Sequence, residues 1–126
     1  MDIISVFIQN RPGRLSQIIQ EISSPNIFGF SIADAGEFGI VRLCVENPKE
    51  AVSELKRHDL IAHVTDVVAV HQNDLLQVVE LFDKRGVNID EALYAVLASQ
   101  GPLAIFKVQD AEMARSVLTE ESIEYF

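Results

Sequence analysis

The chain repeats itself, and that duplication limits its possible folds more than any other feature. Leu15, Ile18, Ile19 and Ile22 stand at the i, i+3, i+4 and i+7 positions of a helix buried on one side. Leu75, Val78, Val79 and Phe82 return with the same spacing. Asn88-Ile89 after the second stripe mirrors Asn26-Ile27 after the first, and Val108-Gln109-Asp110 lines up with Val45-Glu46-Asn47. Ala114 then answers Ala51, and Leu118 answers Leu55. A supersecondary unit used twice at this spacing builds a paired architecture. With 126 residues, 48% of them hydrophobic, the chain can bury either one sizeable core or two small ones.

Within the first copy the order of elements is readable. Ile3 to Gln9 is rich in β-branched and aromatic residues, Leu15 to Ile22 is helical, and Ser23-Ser24-Pro25-Asn26 is a cluster of turn formers. Ile27 to Ala33 reads as a strand and Asp34-Ala35-Gly36-Glu37 as a hairpin connection. Phe38 to Glu46 is the next strand, alternating Val41, Leu43 and Val45 against Ile40, Arg42 and Cys44. Asn47 is placed to cap a helix, with Pro48 in its first turn and Ala51, Val52 and Leu55 on its buried face. Leu60 to Val70 is extended and apolar, with a kink expected at Thr65-Asp66. Each copy therefore reads βαββαβ, and the units are set at 1–66 and 67–126 with no flexible linker between them. The terminal Ile123-Glu124-Tyr125-Phe126 is short for a final strand, which leaves that sheet edge partly open.

The connection after the first strand is Asn10-Arg11-Pro12-Gly13-Arg14-Leu15. Pro12 suits a first helical turn, and Gly13 removes the Cβ that would hold a ligand or another backbone away. Free N–H groups at such a turn favour a carboxylate or carbonyl guest. A plainer reading makes Pro-Gly only a loop former, Asn10 a helix cap and Asn88 a turn residue after Gly86. The second copy has His71-Gln72-Asn73-Asp74 in the matching place, two residues shorter and without Pro or Gly. One turn is built for close approach and its counterpart is not.

Two βαββαβ units with this turn after the first strand resemble the ACT domain family of small-molecule regulatory modules, in tandem. The Asn10–Leu15 turn is similar to the one in the regulatory domain of phosphoglycerate dehydrogenase, and Asn88-Ile89 resembles the Asn-Ile after the first helix there. The resemblance implies an α+β fold: two ferredoxin-like units aligned edge to edge in a combined antiparallel sheet, with helices on one face. It implies an amino acid held at the seam by Asn10, Arg11, Pro12, Gly13, Arg14 and Leu15 of one unit and Asn88 with Ile89 of the other. Backbone N–H groups would take the carboxylate and asparagine carbonyls the ammonium. The reciprocal pairing of His71-Gln72-Asn73-Asp74 with Asn26 departs from the family pattern and is expected to be empty or altered.

Charge and residue types remove other functions. A net charge of −9, from 19 acidic and 10 basic residues, disfavours nucleic acid and anionic membrane surfaces. No apolar run approaches the roughly 20 residues of a membrane span, and Met1-Asp2-Ile3 does not open a signal peptide. A cytoplasmic location is expected. Cys44 alternates with apolar strand residues and reads as packing, and His58, His63 and His71 share no metal spacing. Phe30 and Tyr94 are read as strand packing residues, and Asp34 and Asp90-Glu91 as turn and surface acids. With no nucleophile and base, phosphate loop or metal cluster, neither catalysis nor a cofactor is expected. The partners expected are an amino acid, a second copy joined through the helix-free sheet face that carries Ile3 and Phe7, and an unidentified enzyme or regulator. The competing class is a structural or oligomerisation module with no metabolite.

Overall fold

The computed structural model describes residues 1–22 and 27–126, so the turn read at Ser23–Asn26 lies outside the described residues. The elements run β1 (Asp2–Gln9), α1 (Arg14–Glu21), β2 (Ile27–Ala35), β3 (Phe38–Val45), α2 (Pro48–Arg57) and β4 (Ile61–Asp66). They continue with β5 (Val68–His71), a single 3-10 turn (Gln72–Asp74), α3 (Leu75–Arg85), β6 (Ile89–Leu97), β7 (Gly101–Val108) and α4 (Ala111–Glu120). The chain divides into two compact units, Asp2–Thr65 and Met1 with Asp66–Phe126.

The first unit is a four-stranded sheet in the order β2-β3-β1-β4. Directly opposed residues of an antiparallel pair point to the same face, and β1 meets β3 with Ile4 opposite Leu43 and Val6 opposite Val41. These side chains, with Ile8 and Val45, bury against Ile18 and Ile22 of α1 and against Ala51, Val52 and Leu55 of α2. That face forms the core, because the period of two along each strand matches the apolar stripes of both helices.

The other face of this sheet is partly polar, yet it too is buried at one end. Ile3, Ser5 and Cys44 are buried, as are Arg42 and Thr65. Arg42 Nη1 donates to Ser5 Oγ, and Ser5 Oγ lies 2.6 Å from Thr65 Oγ1. Cys44 is thus a packing residue, and burial pushes its thiol up from an ordinary 9.0 to about 11. A thiol raised in this way supports the fold fully below its unfolded value, and the support is lost as pH climbs through the folded value. Urea unfolding of wild type and Cys44→Ala at pH 8 and pH 11 should therefore show wild type losing roughly 2–3 kcal/mol more than the variant. Parallel losses would contradict a desolvated thiol.

The second unit is a three-stranded sheet in the order β5-β7-β6. Its core joins Val68 and Val70 of β5 and Ala104, Phe106 and Val108 of β7 to Val78 and Phe82 of α3 and Ala114, Val117 and Leu118 of α4. Among the described residues no fourth strand follows α4. Instead Tyr125 bridges to Val70, and Phe126 and Ala69 exchange backbone bonds of 2.9 and 3.2 Å. Those last residues take the place beside β5 that β4 takes beside β1. The strands accordingly make two hydrogen-bonded sheets, one to a unit, where the resemblance implied a single combined one. β2 and β6 are each an edge strand of their own sheet.

Candidate functional site

The turn after β1 is fixed by backbone geometry. Asn10 N–H donates to Glu37 O at 2.9 Å, Arg11 N–H to Gln9 O at 2.9 Å and Gln17 N–H to Gly13 O at 3.0 Å. Gly13 stands immediately before α1 with φ of 91°, a left-handed conformation that residues with a Cβ avoid. No other part of the chain lies within 4 Å of where its Cβ would be, so the glycine serves the backbone angle and leaves open space beside it. Pro12 therefore precedes the helix instead of occupying its first turn, which starts at Arg14.

Asn10 does not cap α1. Its Nδ2 donates to Asp34 Oδ1 at 2.9 Å and reaches Gly36 O at 3.5 Å, and the same Asp34 oxygen accepts from Gly36 N–H at 3.1 Å. The turn is thereby tied to the end of β2, a link that spacing in the sequence does not reveal because Asp34 reads there as an ordinary turn acid. The first-turn amides of α1 receive no side-chain cap, unlike those of α4, where Asp110 accepts from Met113 N–H at 3.0 Å. Asn47 stands at the cap position of α2 but makes no side-chain capping bond either.

Arg14 leaves the turn in a different direction. Its Nη1 donates to Gln17 Oε1 at 2.8 Å and its Nη2 to Gln9 Oε1 at 3.0 Å. Leu15 packs against the core of the first unit. The six residues of the turn thus divide: Asn10 turns towards the β2–β3 hairpin, Arg14 back along β1 and α1, and Leu15 inward.

Asn88 and Ile89 belong to the second unit, where α3 ends at Gly86 with φ of 73°. Asn88 Nδ2 donates to Asp90 Oδ1 at 2.8 Å and its backbone carbonyl accepts from Gln109 N–H at 3.1 Å. Asp90 also lies 3.5 Å from Lys107 Nζ. Asn88 itself is exposed at the start of β6. The matching turn of this unit is the 3-10 turn, with His71 Nε2 2.9 Å from Glu124 Oε2 and its ring edge-on to Phe126. Asn26, its expected counterpart, lies outside the described residues.

Phe30 and Tyr94 are not packing residues, since both are 54% exposed. Phe30 opposes Leu43 and Tyr94 opposes Ala104, so each projects from the helix-bearing face. They stay exposed because they stand on edge strands. His58 pairs with Glu21 at 2.8 Å, and the His63 ring lies tilted against Phe7 with centroids 5.8 Å apart. Among the described residues no three His, Cys, Asp or Glu side chains gather to hold a metal, and no helix is long and apolar enough to cross a membrane.

Comparison with solved structures finds this fold elsewhere. A protein from Bacteroides thetaiotaomicron superposes with a TM-score of 0.83 at 24% identity, over 99% of this chain and 90% of that one. The regulatory subunit of aspartate kinase from Thermus thermophilus, in its ligand-free form, gives 0.61 at 16% identity over 94% and 87%. Among curated proteins no sequence relative matches. Residues 1–126 do match the family described as an ACT domain pair, so the two ferredoxin-like units seen here are a pair of ACT domains and the chain belongs to that family.

Proposed function

We propose that the protein is a non-catalytic regulatory module which binds a small amino acid at a seam between a first and a second ACT unit, the second unit coming from another copy of the chain. Membership of the ACT domain pair family supports a regulatory role, as does the fold shared with a kinase regulatory subunit. The observation that carries the reading is the pair of open edges. β2 and β6 each end their sheet, and each exposes two apolar residues on the helix-bearing face. These are Phe30 and Ile32 on β2, 54% and 50% exposed, and Tyr94 and Val96 on β6, 54% and 63% exposed. Ile19 of α1 and Val79 of α3, matching positions of the repeat, are exposed as well. Open edges with apolar flanks are normally covered. On the helix-free face Ile3 is already buried within one chain while Phe7 is 41% exposed, so that face offers less continuous apolar surface than the edges, which we favour as the dimer contact.

β2 and β6 are corresponding strands of the repeat, and an antiparallel joint between them would put the start of β6 beside the end of β2. The end of β2 is where Asp34 holds Asn10, and the start of β6 follows Asn88. That joint would bring together the two halves of the expected site: uncapped α1 amides and the open space beside Gly13 from one copy, Asn88 and Ile89 from the other. Bound ligand would then favour the joined state through its contacts with both, and a partner enzyme or regulator would read the joined state.

A thermal-shift screen with the twenty amino acids, followed by calorimetry with those that respond, tests this. Asn88→Ala should weaken binding by about tenfold or more while leaving the dimer in sedimentation, since a hydrogen bond to a charged group is removed. Ile32→Lys should give a monomer that no longer binds. Gly13→Val is a poorer probe because its φ strains any β-branched residue and mixes folding with binding. Unchanged affinity in both variants would reject the seam, and no response to any amino acid would favour a purely structural module.

A further inference from the structure

The first unit contains a cavity of about 310 Å³ away from its β2 edge. Phe7 and Ile8 of β1, Phe38 of β3, and Leu60 and Ile61 at the start of β4 give it an apolar wall. Its polar lining includes Arg14 of α1 and Asp59 at the end of α2. Arg14 is held by two neutral amide oxygens, those of Gln9 and Gln17, and has no carboxylate partner among the described residues. Its Nε is buried with no hydrogen-bond partner at all. A buried guanidinium N–H without an acceptor costs about 1–3 kcal/mol. Gln9 and Gln17 orient the cation without neutralising it, so the charge remains available.

We propose that this cavity is a second small-molecule site, taking a monocarboxylate with an apolar body of about the size of leucine. The carboxylate is met by Arg14, whose planar fork suits it better than a point charge would. The body lies on Phe7, Phe38, Leu60 and Ile61. The volume sits at the small end of ligand cavities, which excludes nucleotides and other large guests. Asp59 has φ of 60° in the turn that ends α2, where Leu60 N–H reaches back to Leu55 O at 3.1 Å. That carboxylate on the lining disfavours a second negative charge on the ligand and accepts an ammonium, so an apolar amino acid and its 2-oxo acid share the chemistry required.

The site stands apart from the seam, with Arg14 as the one residue common to both, and two variants separate them. Nuclear magnetic resonance titration of the full chain uses leucine, 4-methyl-2-oxopentanoate, and leucinamide as the probe lacking a carboxylate. Amide shifts are expected at Gln17, Leu60 and Ile61 with the two acids and not with leucinamide. A stronger response to leucine than to the oxo acid assigns Asp59 to an ammonium, and an equal response assigns recognition to the carboxylate alone. Asn88→Ala should keep these shifts, while Arg14→Gln should weaken binding by about tenfold. Ile61→Asp, at an exposed wall position, should do the same by placing a like charge in the cavity. Shifts that vanish in Asn88→Ala and persist in Ile61→Asp would move the ligand to the seam and overturn the site. Absence of shifts in wild type with either acid, or an Arg14→Gln variant that binds like wild type, would leave the cavity to water.

Discussion

Phe82→Ala is expected to lower the stability of the protein by about 3–5 kcal/mol, and Phe82→Leu by much less. Phe82 is the largest fully buried side chain, and its ring stands edge-on to Phe106 with centroids 5.9 Å apart. The second unit has only a three-stranded sheet, with Tyr125 and Phe126 in place of a fourth strand, so this ring joins α3 to a small core. Truncation leaves a cavity that backbone collapse fills only in part, and it also removes an aromatic pair worth about 0.5–1.5 kcal/mol beyond its area. A loss of that size approaches the whole stability of a small domain. Urea unfolding should show it as a shift of the midpoint, with Leu76→Ala on the exposed side of α3 as the control, within about 0.5 kcal/mol of wild type. Equal effects of Phe82→Ala and Leu76→Ala would mean that α3 is not anchored through Phe82.

The duplication and the order of elements are legible in the sequence because burial on one face leaves a periodic mark. Leu15, Ile18 and Ile22 do face the core of the first unit, as Val78 and Phe82 do in the second. Ile19 and Val79 share the same stripe and yet are exposed, since a short helix on a narrow sheet covers less than its whole apolar arc. Phe30 and Tyr94 mislead for a related reason: strand alternation says which face a residue takes, and whether a helix reaches that face at the sheet edge is a tertiary matter. The turn shows the same boundary. Its glycine announces an unusual backbone angle, which the structure has at Gly13. The division between Asn10, tied to Asp34 across 24 residues, and Arg14, clasped by Gln9 and Gln17, depends on where hairpin and helix arrive in space.

Ser5→Ala is expected to cost about 3 kcal/mol, far more than the loss of one hydroxyl on a surface strand. The Ser5 hydroxyl accepts from the buried Arg42 guanidinium and shares a second hydrogen bond with Thr65 Oγ1. Alanine at this position removes an acceptor from a charged donor and a partner from a second hydroxyl, both in a place water does not reach. Thr65→Val removes only the far end of the chain and should cost about 1–2 kcal/mol. Once Ser5 is gone, Thr65 has already lost its partner, so the double variant should be more stable than the sum of the single losses predicts, by about 1 kcal/mol. Strict additivity in urea unfolding would show that the two hydroxyls do not act as one network. The arrangement would bear on the binding sites proposed above, because β1 carries Ser5 near its start and the Asn10 turn at its end. A strand pinned from its helix-free face by Arg42 and Thr65 presents that turn and Arg14 from a fixed base, so less ordering remains to be done when a small ligand binds.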